Sequence, residues 1–261
     1  MSGFVLVAPD KFKGSLTAAE AAAHLAAGLR AAGREARELP VADGGEGTLA
    51  AALAAGFARV PVTVSGPTGK PVDSAIAVRD GVAVVELAAA SGLALLPDGP
   101  DPSGASSRGT GELVAAALDA GARTVVLGIG GSACTDGGAG LLAALGARFL
   151  DVAGAPVADG GGALARAARV DLTGLDPRLR SVELVLACDV DNPLLGPHGA
   201  AAVYGPQKGA GPGEVAALEA GLTRWARLLA GGNGGADLPG AALPRVDVPG
   251  ADLPGAGAAG G

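Results

Sequence analysis

Lysine is scarce in this chain and confined to one kind of setting. Four lysines stand against fifteen arginines: Lys11 and Lys13 in DKFKGS, Lys70 in GPTGK and Lys208 in GPQKGA, each in or beside a glycine-containing loop. A compact ammonium kept for such loops suits contact with a phosphate or carboxylate, while arginine serves as the general cation elsewhere. Hard oxygen donors sit in similar loops: Asp10, Asp43, Glu46, Asp136, Asp189 and Asp191. Backbone is the third ingredient. Gly128, Gly130, Gly131, Gly137, Gly138 and Gly140 strip Cβ atoms from one stretch, so an anionic ligand could approach its N–H groups. Carboxylates, lysines and backbone donors together suit a magnesium nucleotide, because Mg²⁺ takes one or two carboxylates plus substrate phosphates. Phosphoryl transfer needs little more than a group that orients or deprotonates the attacking hydroxyl. One loop aspartate alone reads as turn chemistry. The glycine loop alone reads as a tight strand-to-helix turn, since neither Gly-Lys-Ser/Thr nor a strict G-x-G-x-x-G is present. Only the set points to one cleft.

The elements that must position these residues follow a repeated grammar. Residues 124–129 form an apolar β-branched run, 130–138 a loop of small residues and 139–145 an apolar helical run. The same order appears near the start: a strand at 4–9, the loop 10–15, and a helix from Thr17 to about residue 32. There Thr17 and Glu20 are spaced as a capping box and Gly33 is the stop. A second run at 36–41 leads through ADGGEGT to a helix at 48–55. Residues 57–87 change to alternating β texture, and Asp80-Gly81 predicts a hairpin, hence an antiparallel or mixed sheet. Residues 91–107 read as plain connection before a helix at 110–120. Further on, the patterning predicts a small hairpin from 147–152 and 155–158, a short helix at 163–168, a buried strand at 182–188 and a helix at 212–229. In open α/β sheets ligands gather outside the carboxyl ends of strands. The loops 10–15, 42–48, 130–138 and 189–192 each follow such a strand, so they are expected to converge.

Composition narrows the classes. With 261 residues the chain holds one large or two ordinary α/β domains. A net charge of -7 and a pI near 4.8 offer no basic face for a phosphodiester backbone, which argues against nucleic acid. No apolar run reaches the length of a bilayer span, and residues 1–13 lack the features of a signal peptide. The expectation is a cytoplasmic chain with no membrane partner. Cys134 and Cys188 form no C-x-x-C pair or disulfide framework, and His24 and His198 lie in unrelated contexts.

The loops resemble those of the glycerate kinase family of bacterial glycerate and glucarate metabolism. The matching words are APDKFKGSLTAAEAA, LPVADGGEGTL, GPTG, RGTGELV, GIGGSACTDGGAGLLAALG, ACDVDNPLLGPHGAAAVYGPQKGA and GAGAAGG, in the family's order over nearly the whole chain. The resemblance implies ATP-dependent phosphorylation of D-glycerate, most often to 2-phosphoglycerate, with Mg²⁺. It implies an α/β fold of two lobes with a cleft between them, one lobe on a mainly parallel doubly wound sheet and the other on a mixed sheet. Residues 1–64 would form an N-terminal lobe assembled from both chain ends, 65–230 the second lobe and 231–261 a Gly/Pro/Ala-rich tail. A homodimer is compatible with the family.

The motif positions carried over are Asp10, Lys11, Lys13, Gly14 and Ser15, then Asp43, Gly44, Gly45 and Glu46. Gly130, Gly131, Ser132 and Asp136 follow, then Asp189, Asp191, Asn192, Gln207 and Lys208. Asp189 is assigned the glycerate hydroxyl, with Lys13 and Asp10 beside it in catalysis, and Asp191 the metal. The remaining positions are assigned to binding, with Gly130–Ser132 cradling phosphate. Relatives continue past the GAGAAGG word with a helix, a strand and a glycine/acid loop, so the expectation is an incompletely covered first lobe with weak activity. Two other readings stand beside this one: a kinase for another small hydroxy acid, and a nucleotide- or metabolite-binding protein without turnover.

Overall fold

The computed structural model describes residues 3–12 and 14–230. Lys13 and the 231–261 tail lie outside the described residues. The chain begins with β1 (Val5–Val7), α1 (Ala18–Ala31) and β2 (Ala36–Glu38), and the two strands pair in parallel, Val5 opposite Ala36. Thr17 starts α1 as its sequence requires. Its hydroxyl accepts the Glu20 N–H at 3.2 Å, and the Glu20 carboxylate accepts the Thr17 N–H at 2.8 Å. Such a box stabilises a helix start by about 1 kcal/mol. Val7, Ala22, Ala26 and Ala36 form the small core of this βαβ unit, while Phe4, Leu6, Leu25 and Leu39 stay exposed.

Next come α2 (Thr48–Ala54), β3 (Ala58–Ser65), β4 (Pro71–Arg79) and β5 (Val82–Glu86). Asp80 and Gly81 both take positive φ, 52° and 83°, the conformation of a two-residue hairpin turn that matches strand twist. The chain continues through α3 (Ala88–Ser91), α4 (Arg108–Asp119), β6 (Thr124–Gly128), α5 (Ala139–Ala144), β7 (Arg148–Leu150) and β8 (Arg169–Asp171). It ends in β9 (Glu183–Ala187), α6 (Ala200–Tyr204) and α7 (Pro212–Leu229).

The main sheet has the order β3-β4-β5-β6-β9. Its first two pairings are antiparallel and its last two parallel, so the fold is α/β with a parallel pair and a mixed sheet, as the sequence implied. Strand alternation divides β5 between two layers. Ala83 and Val85 join Ile76, Leu113, Val114 and Val125 in the core under α4, whereas Glu86 points to the opposite face and meets α2. A second core surrounds Trp225 on α7. The indole stacks edge-to-face on Phe149 at 4.9 Å and donates its N–H to the Gly137 carbonyl at 2.9 Å.

The small hairpin expected from 147–152 and 155–158 forms: Leu150 lies opposite Pro156 in antiparallel pairing, the Asp151 N–H donates to the Ala155 carbonyl at 2.9 Å and the Val157 N–H to the Phe149 carbonyl at 2.8 Å. The Asp151 carboxylate accepts the N–H groups of Ala153 and Ala155, which turns the chain. Beyond that hairpin β7 also pairs with β8, Arg148 opposite Asp171. Two local expectations change. The short helix near 163–168 is a 3₁₀ turn over Gly161–Arg166. Residues 91–107 are not all connection, since α3 ends at Ser91 and a 3₁₀ turn covers Leu93–Leu95. In addition, β3 belongs wholly to the main sheet, although all of it but Ser65 lies within the span 1–64 read as the N-terminal lobe.

Candidate functional site

Parallel pairing aligns three strand ends in one row: Glu86 of β5 opposite Gly128 of β6, and Gly128 opposite Ala187 of β9. The loops that leave them are therefore neighbours. The 43–47 loop packs onto this row from the other side, and only glycine permits the approach. A Cβ on Gly44 would lie 2.3 Å from the Ala187 carbonyl oxygen, one on Gly128 2.5 Å from the Gly44 oxygen, and one on Gly130 2.6 Å from Gly45 Cα. The contact is tied by the Gly130 N–H, which donates to the Gly44 carbonyl at 3.0 Å.

Charge is organised around these turns. Asp43 Oδ1 accepts the Gly45 N–H at 2.8 Å and lies 3.5 Å from Lys11 Nζ, which is 3.8 Å from Asp10. The Gly45 N–H, with help from the Lys11 charge, holds the Asp43 carboxyl below the usual carboxylate range. Across the row, Lys208 Nζ donates to Ser132 Oγ at 2.8 Å and to the Cys134 carbonyl at 2.5 Å. Lys208 is 6% exposed, and among the described residues no carboxylate forms an ion pair with it. Burial lowers its pKa, and the negative charge of nearby Asp136 opposes this only in part. A buried ammonium pinned beside a glycine loop is a place where an incoming anion gains energy.

Not every expected residue faces the same space. Asp10, Lys11, Ser15 and Glu46 line one cavity of about 480 Å³ between the 10–17 turn and α2. Gly130, Gly131, Ser132 and Lys208 lie together, and Glu46 reaches this group beside Gly131. Asp189 and Asp191 are exposed on the loop leaving β9, where their carboxylates accept no hydrogen bond among the described residues. Asn192 holds that loop's shape instead, donating to the His198 carbonyl at 3.1 Å and accepting from Tyr204 Oη at 2.5 Å. Gln207 is exposed beside Lys208. Asp136 is withdrawn into the fold: Oδ2 accepts from the Ser107 N–H and hydroxyl and the Gly140 N–H, and Oδ1 from the Gly138 N–H. These four hydrogen bonds fix the turn that starts α5.

For a metal, the described residues contain no cluster of three or more carboxylate, imidazole or thiolate groups. Two free carboxylates, Asp189 and Asp191, match the donor set of a magnesium ion that takes its other ligands from phosphate and water. Sequence reasoning missed Glu86. The signal was present, since it is the one acid in the apolar run VAVVEL.

Ligand loops gathered over the carboxyl ends of parallel strands define an α/β protein of the open-sheet binding class. A family model described as the glycerate kinase family matches residues 5–261. The chain is 50% identical over 230 residues to the glycerate kinase of Bacillus subtilis (strain 168), covering 86% of this chain and 60% of that protein. It is 44% identical over 231 residues to the glycerate 2-kinase of Escherichia coli (strain K12), covering 86% and 61%. The crystal structure of a provisionally named glycerate kinase 2 from Salmonella typhimurium LT2 superposes with a TM-score of 0.77 at 44% identity, covering 86% of this chain and 62% of that one. The chain belongs to the glycerate kinase family. It spans about three fifths of the length of these relatives. Among the described residues no helix is long and apolar enough to cross a membrane.

Proposed function

We propose that the chain carries ATP-dependent phosphorylation of D-glycerate, with 2-phosphoglycerate as product. The observation that carries this is the Lys208–Ser132 contact: a buried ammonium, in no ion pair among the described residues, fixed against Gly130–Ser132, with the lysine-bearing turn at Asp10–Lys11 beside the neighbouring 43–47 loop. In this reading the Gly130–Ser132 backbone and Lys208 hold phosphate, and Lys11, with Lys13, neutralises phosphate or glycerate carboxylate. Asp189 accepts the proton of the glycerate hydroxyl as its oxygen attacks the γ-phosphorus, and the bond to the β-phosphate oxygen breaks to release ADP. Asp191, with Asp189 near it, would hold Mg²⁺, which supplies charge neutralisation on the phosphates. Gly14, Ser15 and Glu46, which line the cavity beside Lys11, complete the binding side together with Gly45.

We assign α1, β1 and β2 to a first lobe and β3–β9 to a second, with the cleft between them, and take the protein to act in the cytoplasm without nucleic acid or membrane partners. Coupled detection of ADP with D-glycerate tests the reading, with ³¹P spectra reporting which hydroxyl is phosphorylated. Asp189→Asn should reduce turnover by about 100-fold or more while nucleotide still binds. ADP release that ignores this change would discard the assignment. Nucleotide binding with no ADP from the unmodified protein would favour the binding-protein reading instead.

A further inference from the structure

Glu86 is 8% exposed at the end of a core strand, a place where an acid is destabilising unless its bonds are needed. Its Oε2 accepts the N–H of Gly47 at 3.1 Å and of Leu49 at 2.8 Å. These are orphan donors at the start of α2, whose N-cap is Gly47 and so brings no side chain of its own. The helix has thereby delegated its cap to the sheet. The chain that follows Glu86 grips the other loop through its backbone. Leu87 N–H donates to the Gly128 carbonyl at 2.9 Å, Leu93 N–H to the Gly131 carbonyl at 3.1 Å, and Ala133 N–H to the Ser91 carbonyl at 2.8 Å. One short segment, 86–93, thus holds the 43–49 turn by a side chain and the 128–133 turn by main chain. The two turns also meet directly: Gly130 donates to Gly44, Gly128 and Gly130 pack against Gly44 and Gly45, and Glu46 lies against Gly131.

We propose that Glu86 is a positioning residue for phosphoryl transfer: its carboxylate sets the spacing between the Asp43–Gly47 turn and the Gly128–Ser132 turn. This rests on the reading of those turns as the phosphate-handling side. Glu86 reaches no reacting atom itself. It acts through Gly47, hence through Gly44 and Asp43, and so on the lysine that Asp43 holds. Glutamine can reproduce the arrangement, because one amide oxygen can accept both N–H groups; alanine cannot.

The experiment compares the unmodified protein, Glu86→Ala and Glu86→Gln by three measurements. These are amide hydrogen exchange at Gly47, Leu49 and Gly130, affinity for ATP with Mg²⁺, and ADP release with D-glycerate. In Glu86→Ala, exchange at all three amides should rise about tenfold or more, and kcat should fall by a similar factor with a smaller change in KM. Exchange in β6 should stay unchanged. Glu86→Gln should restore every value to within about threefold. Unchanged protection of the Gly130 amide in Glu86→Ala, or a glutamine variant as impaired as the alanine one, overturns the proposal. The two layers separate cleanly. An unmodified protein that turns over no glycerate, yet shows the exchange response and weakened ATP binding, loses the substrate reading and keeps the positioning role. Glycerate turnover that neither variant alters keeps the reading and ends the positioning role.

Discussion

Replacing Gly44 by alanine tests the closest packing in the site, and Gly47→Ala three residues away is its internal control. Both glycines have positive φ, 89° and 99°, so both variants carry the left-handed strain of about 1–2 kcal/mol. Their surroundings differ. A Cβ on Gly47 has no atom within 4 Å, whereas one on Gly44 would lie 2.3 Å from the Ala187 oxygen and 2.7 Å from its carbonyl carbon. Relief requires the turn to move off the end of β9 by about 1 Å, an overpacking of about 1–3 kcal/mol. Gly44→Ala should therefore lose about 2–5 kcal/mol and Gly47→Ala about 1–2. At about 2–4 °C per kcal/mol for a domain of this size, the first should melt about 2–12 °C below the second. Urea unfolding and thermal melts give the difference directly. ATP affinity should fall in the same order, because displacing Gly44 breaks its bond with the Gly130 N–H. Equal losses for the two variants, or a larger loss for Gly47, would refute the claim that backbone contact between these turns builds the site.

Other expectations are simpler to state. Asp136→Ala strands four donors from Ser107, Gly138 and Gly140 and should cost about 3–5 kcal/mol in urea unfolding, a structural defect rather than a binding one. Lys208→Met removes a buried charge as well as its bonds to Ser132 and Cys134, so stability should change by no more than about 2 kcal/mol while ATP affinity, read by calorimetry, falls about 10–100-fold. Stability should also carry a signature of Glu86 in its pH dependence. Burial pushes its carboxyl above the ordinary 4.5 despite the Leu49 and Gly47 N–H bonds that favour the charged form, with Glu46 adding to the rise and Lys11 opposing it. The native state then holds the proton more tightly than the unfolded chain, so this group's contribution is full below pH 4.5 and is lost as pH rises through the folded value. Glu86→Gln lacks the effect, and its stability relative to the unmodified protein should improve between pH 4.5 and 7; a pH-independent difference would count against it.

Elements governed by neighbouring residues were legible in the sequence. Thr17 and Glu20 close on each other three residues apart, and Asp80-Gly81 turns as that pair prefers. The α7 helix runs over Pro212–Leu229 as read, because Pro212 at its first turn and Glu214, which accepts the Gly211 N–H at 3.0 Å, mark its start locally. The hairpin of 147–152 with 155–158 was legible in the same way, since Asp151 turns the chain by accepting the Ala153 and Ala155 N–H groups. That β8 also pairs with β7 was not, because Arg148 and Asp171 are distant along the chain and no local pattern names the partner.

By itself, then, the sequence determined which residues are chemically unusual: lysines and acids set in glycine turns, each after an apolar run. Which of them share a space was decided by tertiary structure. Lys208 meets Ser132 across 76 residues of chain, Glu86 reaches Leu49 across 37, and Asp136 is taken by Ser107 across 29. Nothing local encodes those choices. They follow from parallel pairing, which lines up the ends of β5, β6 and β9, and from burial, which obliges each enclosed polar group to find whatever partner the fold brings within reach.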